Sequence, residues 1–412
     1  MEFTKDNYSI DGIQVLDLTK KYGTPLYVYS ADKITEQYTK LTKAFSKANV
    51  KIRYACKALT NQNILKLLRG LGSGLDTVSI QEVELGLMAG YQPEEIIFTP
   101  NGVSIEEINK AVELGVTINI DNISILEQFG NIHGGSKPIC IRINPHIMAG
   151  GNYQISTGHI DSKFGISVHQ LRHVERIVES TGIKVNGLHM HTGSEIMNID
   201  VFLRGVDILF EATQYFKELE FIDLGSGFKV SNQPGGDETD MHALGQALTT
   251  RFNEFCQDYG KELELWFEPG KYLVSEAGTF LAKVNVVKQT TATVFAGIDT
   301  GFNHLIRPMF YNAYQHIVNV SNPTGIERIY TVSGYICETD NFAWDRKIKE
   351  VKEGDILAIQ NAGAYGFMMS SNYNSRTKPP EVLLLNGKDH LIRKRETLED
   401  TLRNQVVLDE IK

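Results

Sequence analysis

An α/β chain made of a TIM-type (β/α)8 barrel and a C-terminal all-β sandwich or barrel domain is the fold class that this sequence predicts, on three observations. Eight short strand-like runs fall between residues 50 and 267. Amphipathic stretches separate them, as crossover helices of a parallel barrel require. After about residue 280 the helical rhythm gives way to β-rich runs divided by Gly and Pro turns.

Taken in order, the opening segment through Thr24-Pro25-Leu26-Tyr27-Val28-Tyr29 reads as β structure, ended by a helix signal at Ser30-Ala31-Asp32-Lys33. It has no place in a barrel and is expected to join the C-terminal sheet. The barrel strands are expected at 50–56, 74–78, 95–99, 116–120, 138–144, 185–191, 220–224 and 263–267. Between them, stretches such as Gln62 to Arg69, Ile80–Ala89 and Ile105–Leu114 repeat apolar residues every three or four positions, the period of a helix lying on a sheet. The second domain is expected to contain strands at Phe280–Val287, Thr293–Ile298, Arg328–Ser333, Asp355–Gln360 and Glu381–Leu385. The boundaries that follow are 30–278 for the barrel, with 1–29 and 279–412 forming the all-β domain.

Composition narrows the function. At 412 residues the chain is too long for one ordinary core, and 42% hydrophobic with 22% charged residues describes a globular protein. A net charge of −9 with no basic stripe argues against nucleic acid and anionic membranes as partners. The N-terminal MEFTKDNYSI lacks the apolar core of a secretory signal, and no run approaches the roughly 18 apolar residues of a membrane span, so a cytoplasmic location is expected. Four cysteines, Cys56, Cys140, Cys256 and Cys337, stand far apart without a CxxC pair, so neither a disulfide framework nor a metal site is expected.

The strand ends carry the chemistry. Reading along the chain they present Lys57, Asp76, Asn101, Asp121, Arg142 with Asn144, His189 and His191, Asp223 with Gly225 and Gly227, and Glu268. A scaffold has no need of so many ionisable groups on one rim, because burying them is costly unless they are paired. Lys57 sits where a strand hands over to a helix, at the edge where α/β barrels place their active sites. Asp223-Leu224-Gly225-Ser226-Gly227 and Glu268-Pro269-Gly270-Lys271 follow the last two strands, where backbone N–H groups commonly cradle phosphate, and His191-Thr192-Gly193-Ser194 adds a hydroxyl. A lysine, phosphate turns and an acid suited to a pyridine nitrogen together point to pyridoxal 5′-phosphate, with Lys57 for the Schiff base and Glu268 for the ring nitrogen.

Four motifs, Tyr54-Ala55-Cys56-Lys57-Ala58, His189-Met190-His191-Thr192-Gly193-Ser194, Glu268-Pro269-Gly270-Lys271 and Cys337-Glu338-Thr339-Asp340, resemble the barrel-fold, alanine racemase-like pyridoxal-phosphate decarboxylases. The runs 305–314 and 363–374 look like those of the diaminopimelate decarboxylases within that group. The resemblance covers nearly the whole chain. It implies that Lys57, Cys337, His191 and Glu268 are catalytic, with Lys57 bonded to the cofactor, His191 stacked on its ring and Cys337 giving a proton to the substrate. It implies that Ser194, Gly225, Gly227 and Gly270 hold the phosphate, that Asp76, Glu82 and Arg142 support the cofactor and its lysine, and that Tyr365 reaches the cofactor from the C-terminal domain. Lys271, Arg307, Tyr311, Glu338 and Tyr365 are implied as substrate contacts. Cys337 and Glu338 would serve the neighbouring subunit of a homodimer with shared active sites.

The implied reaction is decarboxylation of meso-2,6-diaminopimelate to L-lysine, the last step of lysine biosynthesis. Carboxynorspermidine or another basic amino acid is the alternative substrate, a non-catalytic pyridoxal-phosphate-binding regulator the alternative class. Three positions depart from the family pattern. Lys271 stands where an arginine is usual, trading a two-pronged grip for a point charge. Ser226 interrupts a triple glycine, which is harmless only if its φ is negative. Thr339-Asp340-Asn341 replaces the usual serine, glycine and aspartate.

Overall fold

The computed structural model describes residues 1–4, 7–147, 162–193, 195–196 and 198–411. The chain divides into two compact units, one of Thr35–Ser231 with Gly236–Leu273, the other of Met1–Ile34, Asn232–Gly235 and Val274–Lys412.

The first unit is a closed parallel barrel. Its strands follow the order Ile139–Asn144, Val185–His189, Phe221–Asp223, Glu264–Phe267, Val50–Ala55, Gly74–Thr77, Ile96–Phe98 and Thr117–Ile120. Closure comes from the last pairing with the first, Ile118 opposite Ile139 and Ile120 opposite Ile141. The eight expected strands are these eight. A two-residue strand, Ile166–Ser167, also pairs with Ile139–Asn144. ICIRIN is buried at all six positions because one face meets the barrel interior and the other the surrounding helices; isoleucines alternate with Cys140, Arg142 and Asn144, yet no face is exposed.

Side-chain caps set the starts of five of the crossover helices. The side chains of Asn61, Ser79, Asn122, Asn198 and Asp240 accept backbone N–H groups at the starts of Gln62–Gly70, Ile80–Met88, Ile123–His133, Ile199–Ala212 and Met241–Tyr259. Inside the barrel, the Phe221 and Trp266 rings stack with centroids 3.6 Å apart. The Arg53 guanidinium lies 3.6 Å from the Trp266 ring and donates to the Glu94 carbonyl, so this buried cation rests on a π face rather than on a carboxylate.

In the second unit the long strand Gly278–Gln289 is the organiser. It pairs antiparallel with Val294–Ile298, with Ile356–Ile359 and with the N-terminal strand Leu26–Ser30. Leu26–Ser30 in turn lies parallel to Glu381–Leu385, so the N-terminal strand is part of this sheet as expected. Leu26, Val28, Leu281, Ala358, Val382 and Leu384 form the centre of its core.

Among the elements that depart from the sequence reading, four bear on the second unit's architecture. Val15–Tyr22 is a helix inside the segment read as β, burying Val15 and Leu18 one turn apart and ending at Gly23. Ile317–Asn319, Asn341–Lys349 and Lys388–Arg393 are strands that the alternation did not announce. In Asn341–Lys349 the register shifts against its neighbour, and Asp345 has φ 43°, which breaks the two-residue period. Among the described residues Lys388–Arg393 pairs on one side only, with Glu381–Leu385, and its polar, mostly exposed sequence suits a sheet edge.

Candidate active site

Lys57 occupies a single 3-10 turn, Cys56–Ala58, directly after the first barrel strand. The Leu59 N–H and the Thr60 hydroxyl both donate to the Cys56 carbonyl, which locks the turn. The Lys57 Nζ lies 3.2 Å from Oδ2 of Asp76, a carboxylate only 1% exposed at the end of the neighbouring strand. Burial, reinforced by the charge of Glu268, pushes Asp76 up to about 7 despite the lysine beside it. Its other oxygen, Oδ1, has no hydrogen-bond partner among the described residues.

Glu268 follows the eighth barrel strand and is buried. Its Oε2 lies 3.1 Å from His189 Nε2, and Thr99 donates its hydroxyl to Oε1 at 3.4 Å. Burial works to raise the Glu268 pKa, but the His189 contact and the positive field of Lys57 and Arg142 outweigh it and hold the carboxyl at about 2. His189, itself pushed down by burial, is a neutral imidazole donating Nε2–H to an ionised carboxylate. Asp223 stands beside them, the three groups' ligand atoms within 4.8 Å of one another. Burial and Glu268 raise Asp223 well above the carboxylate range, so the negative charge of the cluster resides on Glu268.

The glycine turn is built for close approach. Gly225 has φ 61° and Gly227 φ 124°; an added Cβ would strike the His191 ring at the first and the Gly193 carbonyl at the second. Ser226 between them is not among the positive-φ residues, so the serine is tolerated, and its N–H donates to His191 Nδ1 at 3.3 Å. Burial pushes His191 down to about 3, leaving a neutral ring. An added Cβ at Gly270 would lie 3.2 Å from Ala58 Cβ and 3.3 Å from Ala55 Cβ, which brings the eighth-strand turn against the lysine turn. Ser194 lies outside the described residues.

Arg142 is buried in the fifth strand, its guanidinium 4.8 Å from the Phe164 ring, and burial lowers its pKa. Glu82 accepts the Val78 N–H at its Oε2 at 2.8 Å, donates its own N–H to Ser79 Oγ, and reaches Cys56 beside the lysine, whose thiol is pushed up by burial and by this carboxylate. Lys271 is ion-paired with Glu195, Nζ to Oε1 3.0 Å, a partner that the sequence reading did not assign.

The remaining candidates belong to the second unit. Arg307 opens the short helix Arg307–Tyr311 and stands 5.4 Å from the Tyr311 ring and 5.8 Å from the Tyr365 ring. Tyr365 itself has φ 56°. Cys337 is exposed and receives the Asn374 side-chain N–H at 3.4 Å; Tyr373 donates its hydroxyl to Glu338 at 2.9 Å. The departure at Asp340 has a structural purpose, since its carboxylate accepts the N–H groups of Phe302 at 2.8 Å and Ile336 at 3.2 Å and so pins the loop bearing Cys337. The sequence presents His189 at a strand end without marking a role for it. Its i, i+2 spacing from His191 was the available signal, and its function as donor to Glu268 depends on a contact across the barrel.

The orphaned Asp76 oxygen beside a primary amine, the glycine cradle and the buried ionised carboxylate suit pyridoxal 5′-phosphate, which offers an aldehyde, a phosphate and a basic ring nitrogen. Comparison with known proteins agrees. Residues 31–275 match the family described as pyridoxal-dependent decarboxylase, pyridoxal binding domain. The chain is 39% identical to a diaminopimelate decarboxylase of Methanothermobacter thermautotrophicus, covering 98% of this chain and 96% of that one. It is 36% identical to one from Haemophilus influenzae, covering 95% of each. Among solved structures, a diaminopimelate decarboxylase of M. jannaschii in complex with L-lysine superimposes with a TM-score of 0.92 at 32% identity, covering 100% of this chain and 98% of that one.

Proposed function

The chain belongs to the pyridoxal-dependent decarboxylases and within them to the diaminopimelate decarboxylases, and from that premise we propose how its own residues convert meso-diaminopimelate to L-lysine and carbon dioxide. The observation that carries the reading is the Lys57–Asp76 pair at 3.2 Å on the same rim as the ionised Glu268. Pyridoxal 5′-phosphate, when bound, supplies an electron sink for the pair released as the Cα–carboxylate bond breaks.

Lys57 is the residue that would hold the cofactor covalently, with Asp76 fixing its amine. Ser194, Gly225, Gly227 and Gly270 would take the phosphate, and Arg142, Glu82 and Tyr365 would support the cofactor. His191 would pack on the ring. Glu268, ionised and held by His189, would keep a proton on the ring nitrogen, a fixed charge needing no rearrangement during reaction. Cys337 would deliver a proton to Cα, and Glu338 would pair with the distal amine. Arg307, Tyr311 and Lys271 would bind the distal carboxylate; ornithine and lysine have a single carboxylate and cannot fill this place while presenting another one for release.

The protein acts as a homodimer in this reading, Cys337 and Glu338 completing the partner's site; the support is their placement together on an exposed loop held from within by Asp340. A cytoplasmic setting is supported by four free cysteines. Among the described residues no helix is long and apolar enough to cross a membrane. The test is carbon dioxide release from meso-diaminopimelate, ornithine, lysine and carboxynorspermidine in parallel. Turnover of the first alone is expected. Preference for carboxynorspermidine would assign a different substrate, and cofactor absorbance without turnover of any would make the protein a binder.

A further inference from the structure

The ion pair between Lys271 and Glu195 joins two loops of the barrel rim. Lys271 follows the eighth strand directly after Gly270, and Glu195 follows the sixth, two residues beyond Gly193. Their charged atoms are 3.0 Å apart, and the side chains are only 15% and 26% exposed, so solvent screens the pair less than it would a surface bridge. Glu195 is held in a conformation that glutamate rarely adopts, φ 68°. Its neighbour Ile196 keeps the backbone there, donating its N–H to the Gly227 carbonyl at 2.8 Å and accepting the Thr239 hydroxyl at 2.7 Å. The lysine end is fixed as well, since Gly270 packs on Ala55 and Ala58.

A lone cation in this place would attract any carboxylate. A cation and an anion fixed 3.0 Å apart present instead a dipole, matched to a ligand end carrying carboxylate and ammonium on one carbon. The distal end of diaminopimelate, retained in L-lysine, is such a zwitterion. We propose that Glu195 is a specificity-determining residue: with Lys271, and in addition to the Glu338 assigned above to the same ammonium, it reads the zwitterionic amino-acid end of the substrate and discriminates against ligands that bring a carboxylate alone. This rests on the reading of Lys271 as a substrate contact. It also gives the lysine at this position a rationale, because a compact ammonium can be shared between Glu195 and an incoming carboxylate, whereas a guanidinium commits two parallel donors to one partner.

Equilibrium binding tests this without turnover. Titration calorimetry on the cofactor-loaded protein compares L-lysine with 6-aminohexanoate, which keeps the carboxylate and the far amine but lacks the α-ammonium. For Glu195→Gln the expected result is L-lysine weakened by about tenfold or more, with 6-aminohexanoate unchanged or tightened, because the repulsion of its carboxylate is gone. Equal weakening of both ligands would make Glu195 a brace for the loop and overturn the inference, as would no change in either. Glu195→Asp keeps the charge on a shorter arm and must keep the preference for L-lysine; its loss there also overturns the inference. Lys271→Met separates the two levels of the argument. It should weaken both ligands, and if it weakens neither, the underlying reading of Lys271 fails together with the inference.

Discussion

His189 and Glu268 meet 3.1 Å apart with side chains 1% and 7% exposed, a neutral imidazole holding an ionised carboxylate where water does not reach. The arrangement decides which acid of the rim keeps its charge. Asp223, pushed the other way by burial and by Glu268, yields it, while Asp76, raised to about 7, shares its proton equilibrium with the Lys57 ammonium 3.2 Å away. A fixed anion at one defined oxygen is what protonation of a ring nitrogen requires.

Replacing His189 with Leu should therefore remove the donor at Oε2 and leave buried Glu268 with the longer Thr99 contact at Oε1. A hydrogen bond to a charged group contributes about 1.5–3 kcal/mol, so kcat should fall roughly 10- to 100-fold with KM for diaminopimelate little changed. Steady-state kinetics checks the split; a change confined to KM would move His189 from the cofactor to the substrate.

The glycine turn predicts a contrast between adjacent positions. Gly227→Ala must force a side chain against the Gly193 carbonyl at φ 124°, and should weaken cofactor binding by about tenfold or more. Ser226→Gly, at a residue outside the positive-φ set, should leave it within about twofold. Cofactor titration followed by absorbance measures both.

Such contacts mark the limit of what could be read beforehand. The barrel was legible because eight buried strands repeat one pattern and polar caps start five of the helices between them, and Lys57, Glu268 and the glycine turns stand at its strand ends. The strands Asn341–Lys349 and Lys388–Arg393 were not, since a positive-φ aspartate and an exposed edge erase the two-residue alternation. The pairings His189–Glu268 and Lys271–Glu195 join residues 79 and 76 positions apart, and periodicity within a segment carries no information about such partners.

Shared active sites would allow two inactive variants to rescue each other. Lys57→Ala and Cys337→Ala, each inactive alone, should regain up to about a quarter of the wild-type activity after subunits are exchanged by mixing, since half of the dimers are then mixed and each has one intact site. Activity assays of the mixture, beside sedimentation to establish the dimer, decide this; no rescue by exchanged dimers would place Cys337 in its own subunit's site.

His304 predicts a pH dependence of stability. It is 1% exposed, its Nδ1 lies 2.9 Å from the Thr300 hydroxyl, and burial lowers its pKa from 6.5 to about 4. The unfolded chain therefore binds this proton more tightly than the folded one. The contribution is complete above about pH 6.5 and is lost as pH falls toward about 4, reaching roughly 2 kcal/mol by pH 5. Urea midpoints at pH 7 and pH 5 should lie closer together in His304→Gln than in the wild type.

The central claim is that Lys57 on this rim makes the chain a decarboxylase of diaminopimelate. Purified protein supplied with pyridoxal 5′-phosphate and meso-diaminopimelate should form L-lysine and carbon dioxide in equal amounts, and Lys57→Ala should lower the rate by about a thousandfold or more. Wild-type rates from Lys57→Ala, or no L-lysine from the wild type, would contradict the account.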